Sequence, residues 1–199
     1  GGAPHRSVTE LTGPGDEPAD RAVTLTAQTA TVTLDDGTTV DAWTFDGVAP
    51  GPQLRVRVGE LLEVTLVNRD IPDGVTIHWH GVEVPNAEDG VAGVTQDAVH
   101  PGESHVYRFR PIRVGTFWYH SHQVSSLQVA RGLYGVLVVE PSDVDQETVG
   151  QEAVDRDTVA QETVDLAVAV HTWDAYDVAS LGLPPEQPVE AGARVRLRL

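Results

Sequence analysis

In the run PQLRVRVG, residues 52 to 59, Leu54, Val56 and Val58 fall on one side of an extended chain and Arg55 and Arg57 on the other. That two-residue period is the mark of a half-buried strand. The runs LLEVTLVN, VTIHWHG, SHVYRFR, TFWYHSH and LYGVLVVEP follow, each bounded by Gly, Pro, Asp or Asn. Ahead of them, VTLTAQTATVTL and TTVDAWTFDG flank Asp35, Asp36 and Gly37, which predicts a hairpin. Strands at this spacing constrain the chain to an all-β fold, a sandwich or barrel of the Greek-key kind. The abundance of Val and Thr favours the same class. With 199 residues there is enough chain for one full domain and part of another.

The organisation along the chain follows from composition. Residues 1–21 are rich in Gly, Pro and acids and read as a flexible arm. Residues 22–141 carry the strand series and form the first domain. Residues 142–165 are strongly acidic, with Val144, Val149, Val154, Val159 and Val164 recurring at a step of five. That step builds no apolar stripe on a helix and alternates faces on a strand, so the segment reads as an acidic linker or insertion, with an exposed helix as the competing reading. Residues 166–199 contain LAVAVHTWD, a buried strand by its pattern, and end in the alternating GARVRLRL. They are expected to be the beginning of a second, incomplete sandwich.

Charge and composition exclude several functions. Thirteen basic against thirty acidic side chains give a formal charge of −17, which repels nucleic acid and anionic membranes. No apolar run approaches the roughly 20 residues needed to cross a bilayer, and the start GGAPHRSV lacks the apolar core of a signal peptide. The chain has no cysteine, hence no disulfide, thiolate ligand or thiol nucleophile.

The chemistry is concentrated in histidine. Of eight histidines, four stand in two His-x-His pairs, His78 with His80 and His120 with His122. On a strand both members of such a pair point to the same face, with α-carbons about 6.5–7 Å apart, a spacing that suits two adjacent metals better than one. If the two strands are neighbours, four imidazoles converge on one patch. Imidazole suits copper, zinc, iron or nickel, so the residue type alone does not choose the metal. His5, His100, His105 and His171 show no paired spacing and read as structural or exposed.

HWHG with a following DG, then TQDAVHPGESHVYRF, GTFWYHSHQ and GLYGVLVVEP, resemble the first cupredoxin domain of the multicopper oxidases, which include laccases and bacterial cuprous oxidases. FDGVAPGPQLRVRVGE is similar to that domain's opening, and LAVAVHTWDAY and VEAGARVRLRL to the start of its second domain. The resemblance implies a cupredoxin-like Greek-key sandwich and a trinuclear copper cluster at which electrons from small reductants, such as phenols or metal ions, reduce O2 to water. By position it implies His78 as a ligand of the type-2 copper, His80 and His120 as ligands of one type-3 copper, and His122 as a ligand of the other. Asp89 stands where the family carries an acid that assists proton delivery; its other reading is a turn residue before Gly90. The resemblance also implies an extracellular or periplasmic location.

The departures matter equally. The family uses eight cluster histidines and a His-Cys-His element for the type-1 copper, and this chain has half of those histidines and no cysteine. The remaining ligands and the type-1 site are therefore expected from further cupredoxin domains, in cis or from another subunit. Two other readings stand beside the oxidase: a copper-binding cupredoxin module without catalysis, and a copper nitrite reductase. The latter would need a cysteine-bearing copper site in its first domain, and that cysteine is missing.

Overall fold

The computed structural model describes residues 7–34, 36–142, 163–167, 171–173, 178–180 and 194–198. Eight strands build two four-stranded sheets: β1 (Arg21–Thr33), β2 (Thr39–Phe45), β3 (Gly51–Arg57), β4 (Leu62–Asn68), β5 (His78–His80), β6 (Ser104–Phe109), β7 (Gly115–His120) and β8 (Tyr134–Glu140). One sheet has the order β2-β1-β4-β6 and the other β3-β8-β7-β5. The fold is all-β, as the strand spacing predicts, and cupredoxin-like, as the resemblance implies. The hairpin predicted around Gly37 is the antiparallel β1–β2 pair, with Val32 opposite Val40.

The two-residue period becomes burial on one face. In β4, Leu62, Val64 and Leu66 are buried, and in β3 Leu54 and Val56. They meet Leu25 and Ala27 of β1, Tyr107 and Phe109 of β6, and Leu137 and Val139 of β8 in one core. β1 and β4 run parallel, as do β3 and β8, so each sheet closes through a crossover as well as through neighbouring strands.

Two aromatic residues tie this core to the histidine pairs. Trp79 lies between His78 and His80 and, by strand alternation, points away from both. It is fully buried, its ring 4.8 Å from Phe109, 5.7 Å from Tyr107 and 6.1 Å from Tyr119 between centroids. Tyr119 plays the same part beside His120 and donates its hydroxyl to the Pro52 carbonyl at 2.6 Å. Opposite Tyr119 the sheet carries Gly135, where an added Cβ would lie 2.3 Å from the Tyr119 hydroxyl. Only glycine leaves room there for the phenol ring to lie across the neighbouring strand.

Of the amino-terminal segment expected as a flexible arm, residues 1–6 lie outside the described residues, and from Gly13 onward the chain is tied beside β6. Arg108 binds the Glu63 carboxylate and the backbone carbonyls of Pro14 and Glu17, while Arg110 pairs with Glu17 and Asp20. The backbone N–H groups of Gly13 and Arg108 both donate to Glu88. Composition alone gives this segment nothing to bury; Arg108 of β6 and Arg110 just beyond it hold it through backbone carbonyls and carboxylates instead.

Past residue 142, β9 (Thr163–Ala167) pairs in parallel with β12 (Arg194–Arg198), and β10 (His171–Trp173) pairs antiparallel with β11 (Val178–Ser180). The run LAVAVHTWD thus contributes to two strands, with 168–170 and 174 outside the described residues. β9 starts at Thr163, inside the span read as linker; residues 143–162 of that span lie outside the described residues. Trp173 is buried against Leu34, Val40 and Ala42, and Arg55 pairs with both Glu140 and Asp165.

Trp79→Ala is expected to cost about 3–5 kcal/mol, the range for emptying a buried aromatic site. Its indole N–H is buried with no hydrogen-bond partner, so Trp79→Phe, which also removes that orphan donor, is expected to cost much less. Urea denaturation of the two variants measures both.

Candidate metal centre

β5 and β7 are neighbours, and their antiparallel register sets His78 opposite His120, Trp79 opposite Tyr119 and His80 opposite Trp118. Directly opposed residues share a face, so the aromatic pair goes into the core and three histidines come out together on the other side. His122 lies beyond the end of β7 yet reaches the same place. The His78 ring centroid is 5.8 Å from His80, 5.3 Å from His120 and 5.2 Å from His122. The structure therefore brings all four paired histidines to one patch.

Ring orientation decides which nitrogens are free. His78 Nδ1 lies 2.9 Å from the Asp89 carbonyl and His120 Nδ1 lies 2.9 Å from the Ser121 carbonyl. A carbonyl only accepts, so in each ring Nδ1 carries the proton and Nε2 keeps its lone pair. His120 Nε2 faces His80 Nδ1 at 3.5 Å. Two imidazole–metal bonds of about 2.0–2.1 Å span roughly 3–4 Å between nitrogens, so this pair is spaced for one ion. Ligand atoms of His78, His80 and His120 all lie within 4.8 Å of one another.

Trp118 adds a constraint that the sequence does not reveal. Its indole stacks on His120 at 4.1 Å and lies 4.8 Å from His80, packing against both rings of that closest pair.

The electrostatics keep the site receptive to cations. Burial lowers the His120 pKa from 6.5 to about 4, outweighing the Ser121 hydrogen bond, and the neighbouring His78, His80 and His122 push it the same way. A neutral imidazole offers its lone pair where a protonated one cannot.

Asp89 stands at the end of a short 3-10 turn, Asn86–Glu88, held by the buried Glu88. Its carboxylate Oδ1 is 3.2 Å from His78 Nδ1, so carbonyl and carboxylate of one residue reach the same ring nitrogen. The following Gly90 has φ +69°, and an added Cβ would lie 1.7 Å from the Ile77 carbonyl. The turn can press against β5 only because that position lacks a side chain.

Two of the other histidines, His100 and His105, stand elsewhere on the described fold. His100 is exposed, His105 is half-buried on β6 against Tyr107, and His171 is on β10. His5 lies outside the described residues.

A sequence profile described as multicopper oxidase matches residues 26–144. The chain belongs to the multicopper oxidase family. Among relatives of this member, Laccase-2 of Botryotinia fuckeliana is 42% identical over 130 residues, covering 63% of this chain and 22% of that one. A solved structure of Lac15 from a marine microbial metagenome is 34% identical, with TM-score 0.67 over 88% of this chain and 46% of that one. A copper nitrite reductase structure from Nitrosomonas europaea is also similar, 32% identical with TM-score 0.57 over 75% of this chain and 48% of that one. The chain spans between 17% and 22% of the curated relatives' length.

Copper is this family's cofactor, and the donor set fits it. Four imidazoles converge, and in two of them Nδ1 is engaged by a carbonyl, which leaves the Nε2 lone pair for a metal. Imidazole nitrogen is a good ligand for copper, and the carbonyl partners are the outer hydrogen bonds that orient such ligands.

Two expectations follow. Between pH 6.5 and 4 the unfolded chain protonates at residue 120 and the folded one does not, so falling pH destabilises the metal-free protein there. His120→Asn is expected to flatten that slope in denaturation midpoints measured at pH 7 and pH 4.5. Gly90→Ala is expected to destabilise by about 2 kcal/mol or more, since the left-handed backbone costs about 1–2 kcal/mol before the clash with Ile77 is added; thermal denaturation measures it.

Proposed function

We propose that this chain is the amino-terminal part of a multicopper oxidase that couples one-electron oxidation of small reductants, phenols or metal ions, to reduction of O2 to water. In this reading His78, His80, His120 and His122 supply half the histidine ligands of a three-copper cluster: His78 to the type-2 copper, His80 and His120 to one type-3 copper, His122 to the other. The observation that carries it is the 3.5 Å approach of His80 Nδ1 to His120 Nε2, with His78 and His122 beside them. Family membership and the order of the two His-x-His pairs support it.

Copper held there would supply the oxidation states through which four electrons reach O2. The protein's own contributions are positional and protic. The Asp89 and Ser121 carbonyls fix the His78 and His120 tautomers. Conversion of one O2 to two waters consumes four protons, and Asp89, partly exposed and next to His78, stands where a carboxyl can take protons from solvent and pass them inward.

The other cluster histidines and the type-1 copper belong, in this reading, to further cupredoxin domains, in cis or on another subunit, because these 199 residues contain no cysteine. Residues 22–141 are the first such unit and 166–199 the opening of the next, a division supported by the β9–β12 and β10–β11 pairs. The protein would work outside the cytoplasm, in the extracellular space or periplasm. No helix among the described residues is long and apolar enough to cross a membrane.

The test is metal analysis and oxygen-electrode assay of the full-length protein with phenolic and metal-ion donors. Bound copper and O2 uptake are expected. His80→Ala and His120→Ala are expected to lose more than the roughly 10–100-fold that follows loss of an outer hydrogen-bond partner. A reconstituted protein without copper would contradict the reading; copper without O2 uptake would make the chain a binding module instead.

A further inference from the structure

We infer that Gln128 is a positioning residue that locks the two histidine pairs in register. The inference rests on the reading of those histidines as copper ligands. The β5–β7 ladder ends at the His78–His120 pair, so backbone pairing aligns three of the four histidines and leaves Ser121 and His122 beyond it. A buried set of side chains takes over at that point. The Ser121 hydroxyl donates to Gln128 Oε1, and Gln128 Nε2 donates to the Gly74 carbonyl at 2.8 Å. Thr76 N–H donates to Ser121 Oγ at 3.4 Å, and His122 N–H donates to Thr76 Oγ1 at 3.2 Å.

Gln128, Ser121 and Thr76 are all fully buried. Gln128 sits in the short helix α1 (Ser125–Ala130), and the segment after the helix is tied back to the same place: Leu133 N–H donates to the Gln128 carbonyl and Ser121 N–H to the Leu133 carbonyl, each at 3.0 Å. One amide therefore bridges the strand entry that precedes His78 and the residue that separates His120 from His122. Ser121 is also the residue whose carbonyl holds His120 Nδ1. Displacing it moves both members of the second pair against the first.

The chemistry requires an amide. One end must accept from a hydroxyl while the other donates to a carbonyl, and an ionised carboxylate has no donor to offer. A buried network of this kind holds its geometry only when every member is satisfied.

The test compares four full-length, copper-reconstituted proteins: wild type; Gln128→Met, which keeps the volume and removes both hydrogen bonds; Ser121→Ala; and Leu25→Ala, a core truncation in the opposite sheet. Gln128→Met and Ser121→Ala are expected to alter the electron paramagnetic resonance spectrum of the bound copper. Both should speed copper loss to a chelator about tenfold, the lower end of the range for outer-sphere partners. In both, kcat should fall while KM for the reductant holds. Leu25→Ala should lower the thermal midpoint and leave the spectrum and the copper loss rate unchanged.

If Gln128→Met and Ser121→Ala lower only the thermal midpoint, as Leu25→Ala does, the amide is mere core and the inference is overturned. Should Gln128→Met fail to fold, Ser121→Ala decides by the same readouts. A wild type that takes up no copper overturns the functional reading and this inference together, whereas wild-type copper with unaltered variants overturns this inference alone.

Discussion

The pairing of β5 with β7 in the register that sets His78 against His120 is the constraint on which the rest of the structure depends. A shift by one residue would turn every side chain of the short strand to the other face. Trp79 would be expelled into solvent and two imidazoles driven into a core of Tyr107, Phe109 and Tyr119. The hydrophobic effect thus enforces the arrangement of the polar face. Aromatic side chains between and beside the histidines are what make the histidine arrangement costly to lose.

Around that pairing, hydrogen bonds finish what burial begins. Carbonyls of Asp89 and Ser121 decide which nitrogen of His78 and His120 faces outward, and Trp118 packs against His80 and His120. Gly90 allows the Asp89 turn to lie against β5, and the buried Glu88 pins the same turn to Arg108 and Gly13. The histidine patch is built on two strands and braced by loops on either side.

Much of this was legible in the chain. Alternation in PQLRVRVG and LLEVTLVN gives the strands, the Asp-Asp-Gly segment gives the first hairpin, and the two His-x-His pairs name the four rings that converge. What alternation cannot give is the partner of each strand, so only the sheet order shows that the two pairs converge. Gln128 left no trace in sequence, because a single polar residue in SSLQVA has meaning only when Ser121 and Gly74 are known to be its neighbours. The docking of residues 13–20 was hidden for a related reason: part of the binding to Arg108 is done by backbone carbonyls, which every residue has.

The most direct measurement is an anomalous-diffraction map at the copper absorption edge from crystals of the copper-loaded full-length protein. The account predicts a peak between the His80 and His120 imidazoles and further copper within reach of His78 and His122. Peaks elsewhere in the molecule, with these four rings free of metal, would contradict it.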